Sequence, residues 1–108
     1  MKRRVIFQPR ALEQLEEQYQ ELAKQNSQAA ATWFNRFVAA LQSLDQMPER
    51  CPVARESELV GKEIRQLLFG KRAGKRRVFF AIEADTVRIL AIRHSARSDI
   101  PLEDLLND

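Results

Sequence analysis

Apolar residues return every three or four positions through the first half of the chain and every two positions after the polar stretch Pro48–Glu58, so helices should precede a sheet. Before the first helix, Arg4 to Phe7 form a short β-like run closed by Pro9, whose fixed φ and missing N–H suit the first helical position. Leu12, Leu15, Tyr19, Leu22 and Ala23 then make one apolar stripe, with Glu13, Glu16, Glu17 and Glu21 on the other faces. Asn26 and Ser27 supply stop and N-cap chemistry. A second periodic segment follows, with Ala30, Trp33, Phe34, Phe37, Val38, Leu41 and Leu44 at core spacing, so the two helices form a hairpin.

Met47 and Pro48 close the second helix, and "PERCPVARESE" reads as a connecting loop. Beyond it, "EIRQLLF" (Glu63–Phe69), "RVFFAIE" (Arg77–Glu83) and "TVRILAIRH" (Thr86–His94) are rich in β-branched and aromatic residues, with reversals at Gly70–Gly74 and Ala84–Asp85. They predict an antiparallel meander. Leu102, Leu105 and Leu106 allow one short C-terminal helix. The expected fold class is α+β: an N-terminal strand, a two-helix hairpin, then a three-stranded antiparallel meander packed on the helices, in the order β-α-α-β-β-β, as one domain over residues 1–108.

Charge sharpens this outline. The net charge is +3, but Gly61–Arg97 holds ten Lys and Arg against Glu63, Glu83 and Asp85, a local net of +7 that leaves −4 elsewhere. Such polarity steers a protein toward RNA, DNA or an acidic protein, although a solvated basic face is the plainer explanation. The focus is "FGKRAGKRRVFF", where five cations surround two glycines. With 44% hydrophobic and 31% charged residues and no apolar run near the roughly 20 residues that span a bilayer, the composition is that of a soluble globular protein, and no signal-peptide core follows the basic start. The expected location is cytoplasmic. Cys51, the only cysteine, excludes an internal disulfide and any multi-cysteine metal site, and no metal or cofactor is expected.

Familiar catalytic sets are missing: "GKRAGK" lacks Walker spacing, there is no HExxH, and Ser95 and His94, as strand neighbours, point apart. Strand alternation instead offers Arg65, Arg77 and Arg93, one per strand. If the register aligns them, they form a cationic cluster able to orient a phosphodiester and stabilise charge on its oxygens. Each alone is more ordinarily a snorkelling or glutamate-paired side chain. His94 is the one side chain with an unperturbed pKa near neutrality, hence the candidate for proton transfer. Lys71, Arg72, Lys75 and Arg76 at the turn, with Arg97, are candidate nucleic-acid contacts.

Four stretches carry a resemblance: "VIFQPRALEQLEE", "AAATWFNRFVAALQSLDQMPER", "IRQLLFGKRAGKRRVFFAI" and "DTVRILAIRHSAR". In order and spacing the chain resembles the RelE/ParE superfamily of bacterial type II toxin-antitoxin modules, departing where Gln8 replaces the commoner serine before the helix proline. The resemblance implies a toxin with an acidic, partly disordered antitoxin as partner. It leaves two activities open. RelE-like members are ribosome-dependent mRNA endoribonucleases, and Arg77 and Arg93 resemble their strand arginines, although no tyrosine follows "RHSAR". ParE-like members poison DNA gyrase without catalysis of their own, and the "RHSARSD" ending is similar to theirs. The cation density around Gly70–Gly74 tips the expectation toward the mRNA endoribonuclease, with RNA and the ribosome as targets. The gyrase poison is the alternative, and an inactive or regulatory antitoxin-binding module the third.

Overall fold

The computed structural model describes residues 2–71, 74–94 and 100–106. Strand β1 (Arg4–Phe7) leads into helix α1 (Pro9–Gln25), and helix α2 (Ser27–Gln42) follows after a single residue, Asn26. That residue ends α1 in extended conformation, and its side chain accepts a hydrogen bond from the Ala29 amide, capping α2. Gln8, by contrast, gives α1 no side-chain cap, so α1 relies on Pro9 at its first turn.

The connecting segment is more structured than its composition suggests: two 3-10 turns (Ser43–Asp45 and Pro48–Arg50) and a one-turn helix α3 (Ser57–Val60) interrupt it. The Ser57 hydroxyl donates to the Lys62 carbonyl and accepts from the Ile64 amide, which folds this segment back on itself. Strands β2 (Arg65–Phe69), β3 (Arg76–Glu83) and β4 (Thr86–His94) then form the expected meander, and α4 (Glu103–Leu106) follows. Gly70, at φ +94°, opens the β2–β3 turn, and a Cβ there would sit 2.9 Å from the Gly74 carbonyl oxygen.

The sheet order is β1-β4-β3-β2, with β1 parallel to β4 in the register Arg4↔Thr86 to Phe7↔Ile89. Strand β4 is therefore central along its first half only. Beyond Ile89 it has no strand neighbour on the β1 side among the described residues.

Two apolar layers cover the sheet. Val78, Phe80, Val87, Ile89 and Ile92 pack with Ala11, Leu15, Phe37, Leu41 and Leu44 from the hairpin. On the opposite face Phe79, Ala81, Leu90 and Ala91 pack with Ala54, Ile64, Ile100 and Leu105. The switch of β4 between faces comes from an irregularity: Phe79 pairs with Ala91 and Phe80 with Ile89, leaving Leu90 as an extra residue. Simple alternation had placed Val87, Ile89, Ala91 and Arg93 together; the bulge divides them. The α1 stripe is also rotated from the expected one, since Ala11, Gln14 and Leu15 are buried while Leu12 is exposed.

Candidate functional site

Register decides what the strand arginines can do. Arg65 pairs with Phe80, whereas Arg77 and Arg93 are direct cross-strand partners of one another. Phe80 belongs to the hairpin layer and Phe79, two residues from Arg77, to the other. Arg65 is thus on the opposite face from Arg77 and Arg93, and the expected three-arginine cluster does not form.

Arg65 ties down the connecting segment. Its guanidinium donates to the Cys51 carbonyl at 2.6 Å and the Glu49 carbonyl at 3.2 Å, and pairs with Glu63 at 3.1 Å. Arg77 is more firmly committed. Both terminal nitrogens donate to the Glu56 carboxylate at 2.9 Å, and Nε and Nη2 donate to Gln66 Oε1 at 3.0 and 2.6 Å. The guanidinium lies 4.5 Å from the centre of the Phe79 ring. Glu56 and Arg77 are only 5% and 9% exposed. Burial pushes the Glu56 carboxyl up, but hydrogen bonds from Arg77 and the backbone and the charges of Arg77 and Arg55 outweigh it, so the group sits below its ordinary value.

Arg76, expected at the turn surface, is instead 6% exposed. As the first residue of β3, with the parity of Val78 and Phe80, it points toward the hairpin. Nε donates to Gln18 Oε1 at 2.7 Å, Nη1 donates to the Gly74 carbonyl at 2.7 Å, and the guanidinium lies 5.3 Å from the centre of the Trp33 ring. No carboxylate pairs with it among the described residues, and desolvation pulls its pKa below the usual arginine value. The turn lysines Lys71 and Lys75 are likewise without an ion pair among the described residues; Arg72 and Arg97 lie outside the described residues.

The free edge of β4 is closed by α1 rather than by a strand. Gln14 Oε1 accepts from the Ile92 amide at 2.7 Å, and Gln18 Nε2 donates to the Ile92 carbonyl at 3.1 Å. Gln14 Nε2 in turn donates to the buried Asp104 carboxylate, which also has Arg10 Nε at 3.6 Å. Side chains thus link α4, α1, β4 and Arg76 in one polar chain. The signal in the sequence was two glutamines, four apart, at stripe positions otherwise filled by Ala11, Leu15 and Leu22.

Alongside this edge runs a groove of about 590 Å³ between α1 and the end of β4, lined by Arg10, Glu17, Glu21, Arg76, Arg93 and His94 among others. His94 is the register partner of Arg76, so the groove gathers Arg76, Arg93 and His94 from the predicted set and leaves Arg65 and Arg77 outside. Arg93 Nε is buried and has no hydrogen-bond partner among the described residues. No group of three or more His, Cys, Asp or Glu placed to hold a metal occurs among the described residues. Cys51 is buried and its thiol is pushed up by desolvation, against the charges of Arg50 and Arg65, which leaves little thiolate.

A strand, a helical hairpin and a basic meander thus follow one another in this chain. The chain belongs to the family described as the ParE toxin of the type II toxin-antitoxin system parDE, whose model matches residues 5–99. Among solved structures it is similar to one from the chromosomal ParDE toxin-antitoxin system of P. aeruginosa, with a TM-score of 0.69 and 18% identity over 86% of this chain and 96% of that one. No curated protein matches. No helix among the described residues is long and apolar enough to cross a membrane.

Proposed function

We propose that the protein is the toxin of a type II module that poisons DNA gyrase by binding it, without catalytic chemistry of its own, and that it is neutralised by a cognate acidic antitoxin in the cytoplasm. The match to the ParE toxin model across residues 5–99 carries this reading, because ParE-like members of the superfamily are the gyrase poisons. The state of the arginines agrees with it. A ribonuclease needs cations free to meet a scissile phosphate. Arg77, the one resembling the RelE-like strand arginine, is instead locked on Glu56 and Gln66, and Arg65 is spent on backbone carbonyls.

The reading that the sequence first favoured, a ribosome-dependent mRNA endoribonuclease, retains Arg93 and His94 of its catalytic set along the groove, with Arg76 of the expected nucleic-acid contacts. Two parallel reactions separate them. Purified protein should inhibit DNA supercoiling by gyrase and leave ribosome-bound message uncut in primer extension. New 5′ ends in the message with unimpaired supercoiling would reverse the assignment.

A further inference from the structure

The groove between α1 and the end of β4 contains a cation that the fold leaves without a counter-charge. Arg76 points toward the hairpin and is only 6% exposed, yet it lines this groove. Its acceptors among the described residues are neutral: Gln18 Oε1 at 2.7 Å and the Gly74 carbonyl at 2.7 Å. Its remaining N–H donors have no acceptor among those residues. The Trp33 ring, with its centre 5.3 Å away, helps to hold the guanidinium in place before any ligand arrives. Burying an unpaired cation is costly, so an anion that reaches Arg76 would recover part of that cost.

The rest of the groove discriminates between anions. Glu17 and Glu21 stand exposed along it, 4.0 Å from Arg10 and 3.7 Å from Lys24, and would repel a chain of phosphates passing Arg76. Gln25 and Leu22 add amide and apolar surface. Such a lining suits a polypeptide that brings one carboxylate, whose two oxygens match the planar fork of arginine. Resting on the toxin reading above, we propose that Arg76 is a carboxylate subsite, filled by one Asp or Glu side chain of the acidic antitoxin as that chain crosses the groove.

Trp33 is the only tryptophan and lies beside Arg76, so its emission reports occupancy of the subsite. The test titrates the full chain against fluorescein-labelled hexaglutamate for affinity by anisotropy, and against unlabelled hexaglutamate for Trp33 emission. The peptide should bind and change the emission, and hexaglutamine should do neither. Arg76→Gln should weaken binding about tenfold, the size of one charge-assisted hydrogen bond. Lys62→Gln removes the same charge from the exposed loop before β2 and should change affinity less than about twofold. Because Arg76→Gln also disturbs the contacts to Gln18, Gly74 and Trp33, a second variant keeps the arginine: Gln18→Glu places a carboxylate beside Nε from within the fold and should weaken hexaglutamate by a similar factor. Cooperative thermal transitions establish which variants are folded.

Wild-type affinity in either folded variant would overturn the proposal, as would hexaglutamate binding that leaves Trp33 emission unchanged. A labelled DNA duplex that binds more tightly than hexaglutamate, and loses that affinity in Arg76→Gln, would assign the subsite to a phosphodiester and overturn it too. Supercoiling by gyrase, assayed separately, keeps the two claims apart. If hexaglutamate fails to bind while the wild type still inhibits supercoiling, the subsite alone falls. Arg76-dependent peptide binding with gyrase untouched would sustain the subsite and defeat the gyrase reading.

Discussion

Replacing Glu56 with alanine would leave the Arg77 guanidinium almost buried without its counter-ion. Two charge-assisted hydrogen bonds of 2.9 Å disappear, and so does the charge that offsets desolvation. Breaking a buried pair by removing one partner costs about 3–5 kcal/mol. Here Gln66 Oε1 still accepts from Nε and Nη2, and the Phe79 ring still faces the cation, so the loss belongs at the low end, about 3 kcal/mol. At about 4–8 °C per kcal/mol for a chain of this size, the thermal midpoint should fall by about 12–24 °C. Removing both charges tells more. Glu56→Leu with Arg77→Met exchanges a buried ion pair for apolar contact and leaves Gln66 as the inner group that loses its partner, while the exposed Arg55 loses its contact with Glu56, so the cost should be about 1–2 kcal/mol, less than that of Glu56→Ala. Urea unfolding of the singles and the double, closed as a thermodynamic cycle, measures the coupling. A loss below about 1 kcal/mol for Glu56→Ala, or additive effects in the cycle, would refute the view that Arg77 is a structural cation.

Further predictions follow from the same contacts. Because Glu56 titrates below its ordinary 4.5, its contribution is complete above that pH and is lost as pH falls through the folded value; the urea midpoint of the wild type should drop in that acid window, and Glu56→Gln should flatten the drop. Equal acid sensitivity of the two proteins would contradict this. Gln14→Leu removes the acceptor of the Ile92 amide at a buried strand edge, which should cost about 1–3 kcal/mol and speed exchange of that amide; unchanged exchange would show that another group closes the edge. Gly70→Ala forces a Cβ to 2.9 Å from the Gly74 oxygen at φ +94°, so it should cost about 1–2 kcal/mol or more, and an unaltered thermal midpoint would count against a rigid turn.

Local chemistry was legible in the sequence, and relations between distant segments were not. Pro9 and Asn26 mark helix boundaries because their effects are confined to one turn, and both stand where expected. The aromatic and aliphatic spacing of α2 likewise reads directly as a buried face, with Ala30, Phe37 and Leu41 inside. The pairing of β1 with β4 spans most of the chain, and nothing in "RVIF" specifies a parallel neighbour. The extra residue at Leu90 is apolar like those around it, so no residue type announces the change of face that separates Ile89 from Ala91.

The same limit shaped the site. Seven candidate cations were named on the β2 to β4 segments, and their types were right for an anion, but their availability depended on partners elsewhere. Glu56 lies in a stretch whose prolines and polar residues read as loop, yet it removes Arg77 from the site. Parity alone would have turned Arg76 inward, had the first residue of β3 been placed one position earlier.

We infer that this chain acts on gyrase by contact. The direct measurement is the yield of gyrase–DNA cleavage complexes, recovered as linear plasmid after denaturation, as purified protein is added to gyrase and supercoiled DNA. Linear DNA should accumulate with toxin concentration only when gyrase is present, and folded Glu56→Gln should retain this action, because the ion pair supports the fold and takes no part in chemistry. Supercoiled plasmid left intact at every concentration of folded protein, with gyrase fully active, would contradict it.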